Sequence, residues 1–253
     1  MFAFGRLNSL KFVVGGDADY GKEFSMKKLN LLSGIALIIC SLGFIGKSFG
    51  QTTYSWIGTG SSPWTTNTNW NPTRTTPAAN DILQFDGGGT VTATSVPTQT
   101  IGQLLVSSNT TVNLQSAAGV TLTISGGTGT DLSVDAGSAL NFNASNVITL
   151  RVATGATGSI SGNMTLSAAA STAHRLTAAD ASGITFNNGS IFTAGTFFSG
   201  NSFGTADLNS VVFASGSTYV HAAGSNPFGA TQPNSVVIFQ TGSLYKITGS
   251  GIT

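Results

Sequence analysis

Apolar residues along this chain fall into short alternating runs broken by Gly, Ser and Asn. Four runs carry a Gly-Ser pair at the same place. Leu132 and Val134 precede Gly137-Ser138 and Leu140; Ile184 and Phe186 precede Gly189-Ser190 and Phe192; Val211 and Phe213 precede Gly216-Ser217 and Tyr219; Val237 and Phe239 precede Gly242-Ser243 and Tyr245. With the glycine as zero, positions −5, −3 and +3 are apolar in all four. The spacing has period two, so the runs are strands and not helix turns.

The register extends. Gly137 and Gly189 are 52 residues apart, twice 26, which predicts a hidden copy at Asn163, with Ile160 at −3 and Leu166 at +3. Asn is the residue that most readily replaces Gly at positive φ. Upstream, Asn109 and Gly88 fit the same template, so the anchors 88, 109, 137, 163, 189, 216 and 242 are spaced 21, 28, 26, 26, 27 and 26. Of the resulting 21 apolar slots only Gly158 is not filled.

A strand, a bend and a second strand recurring every 26 residues or so describe one coil of a β-solenoid. Runs such as Val120–Ile124 and Ile148–Val152 add a further strand to some coils. No coil buries its apolar face alone; stacking closes the core and pairs each backbone edge with the next coil. The expectation is an all-β parallel β-helix of about seven coils over residues 81–253, with a Trp-rich cap over 51–80. A β-sandwich also uses short strands, but it predicts no constant register.

Composition sharpens this picture. Only 8% of the 253 residues are charged and 33 are Gly, which excludes coiled coils and charged disordered tails. A net charge of +1 argues against nucleic acid as a partner, because phosphate neutralisation needs clustered Lys and Arg. Six of the ten basic residues precede residue 51; from Gln51 onward four basic residues face six Asp and no Glu, a formal charge of −2.

That break has a cause. Met26-Lys27-Lys28, the apolar run Leu29–Gly46 and the polar start at Gln51 have the layout of a secretory signal peptide over 26–50, its helix at 26–46 and its cut at Gly50/Gln51. The run is at the short limit for an uncleaved membrane helix, so membrane contact is expected only during export. Residues 1–25 fit no targeting pattern and read as an extension from a start codon assigned too far upstream. Cys40, the single cysteine, lies inside the apolar run, so the mature chain has neither disulfide framework nor Cys-based metal site.

All three tryptophans fall in one stretch, Trp56-Ile57-Gly58, Trp64, Asn69-Trp70, Pro77, Asp81 and Phe85. Together with the Gly-Ser strand repeat, this segment resembles the start of the passenger region of large bacterial autotransporter-like and adhesin-like surface proteins. The resemblance covers residues 54–253. It implies a right-handed parallel β-helix, displayed on or released from the cell surface, with an adhesive role. Such proteins carry a C-terminal translocation or sorting domain, whereas this chain stops at Gly251-Ile252-Thr253; on that ground it reads as the N-terminal part of a longer chain.

Candidate chemistry is sparse. Trp56, Trp64 and Trp70 are the possible glycan contacts, since stacked aromatics hold sugar rings, although Trp also suits the plugging of an open solenoid end. Asp131 and Asp135, four apart, are the carboxylates that a lyase or glycosidase reading would pair; Asp is also a routine turn residue. His174-Arg175 reads as a solvent-facing loop pair and His221 as a half-buried wall residue. No nucleophile triad, metal-ligand spacing or phosphate-cradling motif is visible, and no cofactor is expected. The functional expectation is a secreted or cell-surface, adhesin-like structural protein without catalytic activity, with an extracellular glycan or protein as ligand. The alternative is a polysaccharide lyase or glycosidase-like β-helix enzyme, or a carbohydrate-binding module.

Overall fold

The structure is a computed structural model and describes residues 50–249. Residues 1–25, the signal segment up to residue 49 and its expected helix lie outside them.

The described chain is an all-β parallel solenoid. One wall stacks Thr53–Trp56, Ile82–Phe85, Gln103–Val106, Leu132–Val134, Gly158–Ile160, Ile184–Phe186, Val211–Phe213 and Val237–Phe239 in parallel, with Trp70–Asn71 antiparallel on its first edge. A second wall stacks Ser61–Pro63, Gly89–Thr94, Thr110–Leu114, Ala139–Phe142, Asn163–Leu166, Ile191–Ala194, Thr218–His221 and Leu244–Ile247. A third holds Gln99–Ile101, Val120–Ile124, Ile148–Val152 and Arg175–Ala178.

The eight strands of the second wall make eight turns where the repeat predicts about seven. The extra turn comes from the tryptophan segment, which winds a coil of its own before it folds over the end. Tyr54 pairs with Leu83 and Ser61 with Thr92, in register with all that follows.

The repeat register is the pairing register. Leu83, Leu104, Leu132, Gly158, Ile184, Val211 and Val237 are successive partners, as are Phe85, Val106, Val134, Ile160, Phe186, Phe213 and Phe239. Side chains alternate across a strand, so equivalent residues pile up inside the column. The rings of Phe186 and Phe213 stack at 4.5 Å and 5°, and those of Phe213 and Phe239 at 4.9 Å and 17°. Gly158 is the gap in the first column because the Ile184 side chain of the next coil fills the space a Cβ would need.

The Gly-Ser pair has a mechanical explanation. Ser190, Ser217 and Ser243 close a turn onto the carbonyls of Asn187, Ala214 and Gln240 through their backbone N–H groups. Their hydroxyls donate to the same three oxygens at 2.6–2.7 Å. The glycine between sits at φ 81–88° across Gly137, Gly189, Gly216 and Gly242, a turn position that only Gly or Asn fills without strain. Gly88 and Asn109 occupy the same region at 72° and 57°.

Asn163 corrects the template. It starts a strand, paired with Ala139 and Ile191, and the partner of Leu140 and Phe192 is Met164, not Leu166. This coil turns its corner two residues sooner, through Ser161-Gly162. Gly162 lies against the carbonyls of Asp135 and Ser138 so closely that a Cβ would clash with both.

The third wall ends after four strands. In the following coils Phe203, 1% exposed, packs from that side against Phe186, Phe192, Phe213 and Tyr219.

Phe213 stacks on both sides, so Phe213→Ala opens a cavity that neighbouring coils cannot close. A loss of about 3–5 kcal/mol in urea unfolding is expected, against less than about 0.5 kcal/mol for the outward Thr185→Val. Equal losses would contradict the stacked column.

Candidate functional site

The tryptophan segment closes the first end of the column. Trp70 meets Trp56 and Trp64 edge to face, with ring centroids 4.8 and 5.1 Å away, and Phe85 lies 5.4–6.0 Å from all three. Trp70 Nε1–H donates to Trp64 O at 2.9 Å, and Asn69 Nδ2–H to Pro63 O at 2.8 Å. Gly58 is required because a Cβ there would run into the Trp56 ring. The three tryptophans, Gly58, Asn69 and Phe85 of this motif thus have packing or bonding roles in the cap.

Trp56, Trp64 and Trp70 are 5%, 1% and 1% exposed. The possible glycan contacts therefore lie in the core, their ring faces covered by one another and by Phe85. All three still border surface clefts. Trp56 borders one of about 500 Å³ with Gly58, Gly88 and Val91.

The cap is pinned by Arg74 and Asp81, both buried. Arg74 Nε donates to Asp81 Oδ2 at 2.7 Å, and the Ala78 N–H reaches the same oxygen at 2.9 Å. The Asp81 carbonyl accepts from Gly102 N and Gln103 N of the next coil. The Arg74 guanidinium also lies 5.8 Å from the Tyr54 ring and 6.0 Å from Trp70, a cation–π arrangement. Removing either member would leave a buried charge unpaired.

The two aspartates weighed as a catalytic pair are held apart by their partners. Asp131 is buried and accepts from Gly127 N at 2.7 Å, Gln103 Nε2 at 3.1 Å and Thr157 N at 2.8 Å. It thereby ties three successive coils. Asp135 is exposed, and its carboxylate accepts from Ser133 Oγ at 2.8 Å. Among the described residues no three His, Cys, Asp or Glu side chains gather into a metal-binding group.

The histidine expectations need correction. His174 is not a solvent-facing loop residue: it is fully buried, its Nδ1 accepting from Ile148 N–H at 3.0 Å and its Nε2 3.2 Å from Ala144 O. Burial, which disfavours the charged ring, pushes its pKa below the ordinary 6.5 despite the neighbouring backbone bonds. Arg175 lies on the outer face of the third wall, half-buried. His221 is fully buried, not half-buried, in the column that holds Phe142, Leu166 and Ala194. Its Nδ1 lies 2.6 Å from Tyr245 Oη and its Nε2 3.2 Å from Gly224 O. Burial also raises the Tyr245 phenol pKa.

The outer face of the second wall carries a row of short polar side chains. Thr92, Asn113, Asn141, Thr165 and Thr193 are successive partners pointing outward. Asn141 Nδ2 donates to Asn113 Oδ1 at 3.1 Å, and Asn113 Nδ2 to Thr92 Oγ1 at 3.4 Å. These bonds hold the amides at the coil spacing of about 4.8 Å.

No family model, curated protein or solved structure matches the chain. The likeness to surface-protein passenger regions thus rests on the tryptophan motif and the strand repeat alone.

His174 fixes a pH dependence. Its pKa is lower in the folded chain than in the unfolded one, so below about pH 6.5 the unfolded chain takes up a proton that the folded chain refuses. Stability present above that pH is lost as the pH falls, by up to about 1.4 kcal/mol per pH unit. Thermal unfolding between about pH 7.5 and about pH 5.5 should show this slope in the parent and a shallower one in His174→Met. Identical slopes would contradict the buried neutral ring.

Proposed function

We propose that the chain is a secreted or cell-surface, adhesin-like structural protein, a β-solenoid stalk or passenger region that carries out no reaction. Its ligand is an extracellular glycan or protein, held along the outer walls. Signal-peptide layout and low charge support export, and the tryptophan motif supports the surface-protein likeness.

The observation that carries the reading is the Thr/Asn ladder from Thr92 to Thr193, which repeats hydrogen-bonding side chains coil after coil. One such group binds weakly. Many in register, on a wall too stiff to lose much entropy on contact, bind through avidity. Of the groups weighed for catalysis, Asp131 and His174 are engaged in coil-to-coil bonding.

The test compares the secreted chain as a monomer with the same chain displayed densely on beads, over arrays of extracellular glycans and matrix proteins. Retention of beads on one ligand class is expected, with monomer binding weaker by about 10²-fold or more and bead retention reduced by Asn141→Lys. No retention of either form, or release of new reducing ends from a polysaccharide, would overturn the proposal.

A further inference from the structure

Beneath the cap, Trp64, Trp70, Arg74, Pro77, Pro97 and Gln99 border a cavity of about 100 Å³. Three of these residues bring an N–H donor that has no acceptor among the described residues: Trp64 Nε1, Arg74 Nη2 and Gln99 Nε2. Trp64 is 1% and Arg74 3% exposed. A buried donor left without an acceptor costs about 1–3 kcal/mol, and native folds hold few of them. Of the nine such side-chain atoms among the described residues, three belong to residues that border this one small cavity.

Gln99 shows that the polarity is placed there against the fold's own pattern. It pairs with Leu122, which pairs with Leu150, which pairs with Leu176. The first member of an inward leucine column is therefore a carboxamide. A local choice that violates the pattern without gain to packing marks a functional position.

The donors also define what they would hold. Trp70 Nε1–H is committed to Trp64 O, and Arg74 Nε to Asp81, so the free donors are an indole N–H, one guanidinium nitrogen and one amide nitrogen. All three atoms donate, which selects an acceptor, and although Asp81 balances the Arg74 charge, the guanidinium N–H makes its stronger, charge-assisted bond to an anionic oxygen. With Nε spent on Asp81, Arg74 offers one charge-assisted N–H, and the indole and carboxamide supply the other donors to the two oxygens of a carboxylate. The cavity equals about three water volumes, room for a carboxylate and its first carbon. The indole and proline walls suit the apolar part of such an acid.

We propose that this cavity is a binding site for a carboxylate group, supplied by a small organic acid or pendant on an acidic sugar. Trp64 Nε1, Arg74 Nη2 and Gln99 Nε2 donate to its oxygens, and Arg74 is shared between Asp81 and the ligand. The site stands whether or not the outer walls are adhesive.

The indole N–H resonances of the ¹⁵N-Trp-labelled secreted chain, assigned with Trp64→Phe, read the site directly. Titration with sodium acetate at constant ionic strength should move the Trp64 signal saturably, with a millimolar dissociation constant, and by more than the Trp70 signal, whose N–H keeps its bond to Trp64 O. Gln99→Met should weaken acetate binding about tenfold while raising the melting temperature of the ligand-free chain, since it restores the apolar column. Glucuronate binding as well as acetate identifies the carboxylate alone as the ligand; much tighter glucuronate binding identifies an acidic sugar. No saturable shift with either acid, an equal shift with chloride or phosphate, or unchanged acetate affinity in Gln99→Met would overturn the site.

Discussion

Backbone pairing between coils is the constraint on which the rest of this protein depends. Each strand finds its hydrogen-bond partners one turn above and one turn below, and this holds only if equivalent residues of successive turns keep the same face inward. A slip of one residue would turn every inward side chain out. The apolar columns from Leu83 to Val237 and from Phe85 to Phe239 are therefore the device that selects the register. The Gly-Ser corners give each turn its angle. With walls bonded in this way, long charged side chains are not needed, and short Thr, Ser and Asn cover the outside.

The first end of the column poses a different problem, because among the described residues no earlier coil pairs with its strands. Three buried indoles, Phe85 and the antiparallel Trp70–Asn71 strand cover it. A buried ion pair is an expensive fastener that apolar residues often outperform, yet Arg74 and Asp81 stand at the joint between cap and coil. The free guanidinium nitrogen gives that choice a purpose: it brings a charge-assisted donor to a cavity that an all-apolar cap would lack.

Much of the architecture was legible because period and pairing coincide. The −5 and −3 slots are the actual strand partners, and six of the seven anchors sit at positive φ. The hidden copy near 163 is a coil with Ile160 in its column, but its anchor and +3 slot were misplaced for a local reason: the corner had lost two residues, and Leu166 and Met164 are both apolar, so composition did not distinguish them. The extra coil in the tryptophan segment was hidden because Ser61-Ser62-Pro63 has no apolar alternation, although it pairs with Thr92–Thr94. Polar residues that face inward were the harder case. His174, His221 and Gln99 look like ordinary strand or loop residues until pairing places them in columns, and the clue was available only for His221, at +5 among Phe142, Ala194 and Ile247. The tryptophans gave the reverse ambiguity, since a sugar platform and a hydrophobic plug use the same residue type.

The central claim is a winding in which 26 or so residues make one interchangeable turn. Excision of residues 158–183, one whole turn that rejoins Thr157 to Ile184, tests it directly when set against excision of residues 158–170, half a turn. The winding predicts that the whole-turn deletion keeps a β-sheet circular dichroism spectrum and a single cooperative melt at reduced temperature, while the half-turn deletion fails to fold. Equal tolerance of both deletions, or collapse of both, would contradict it.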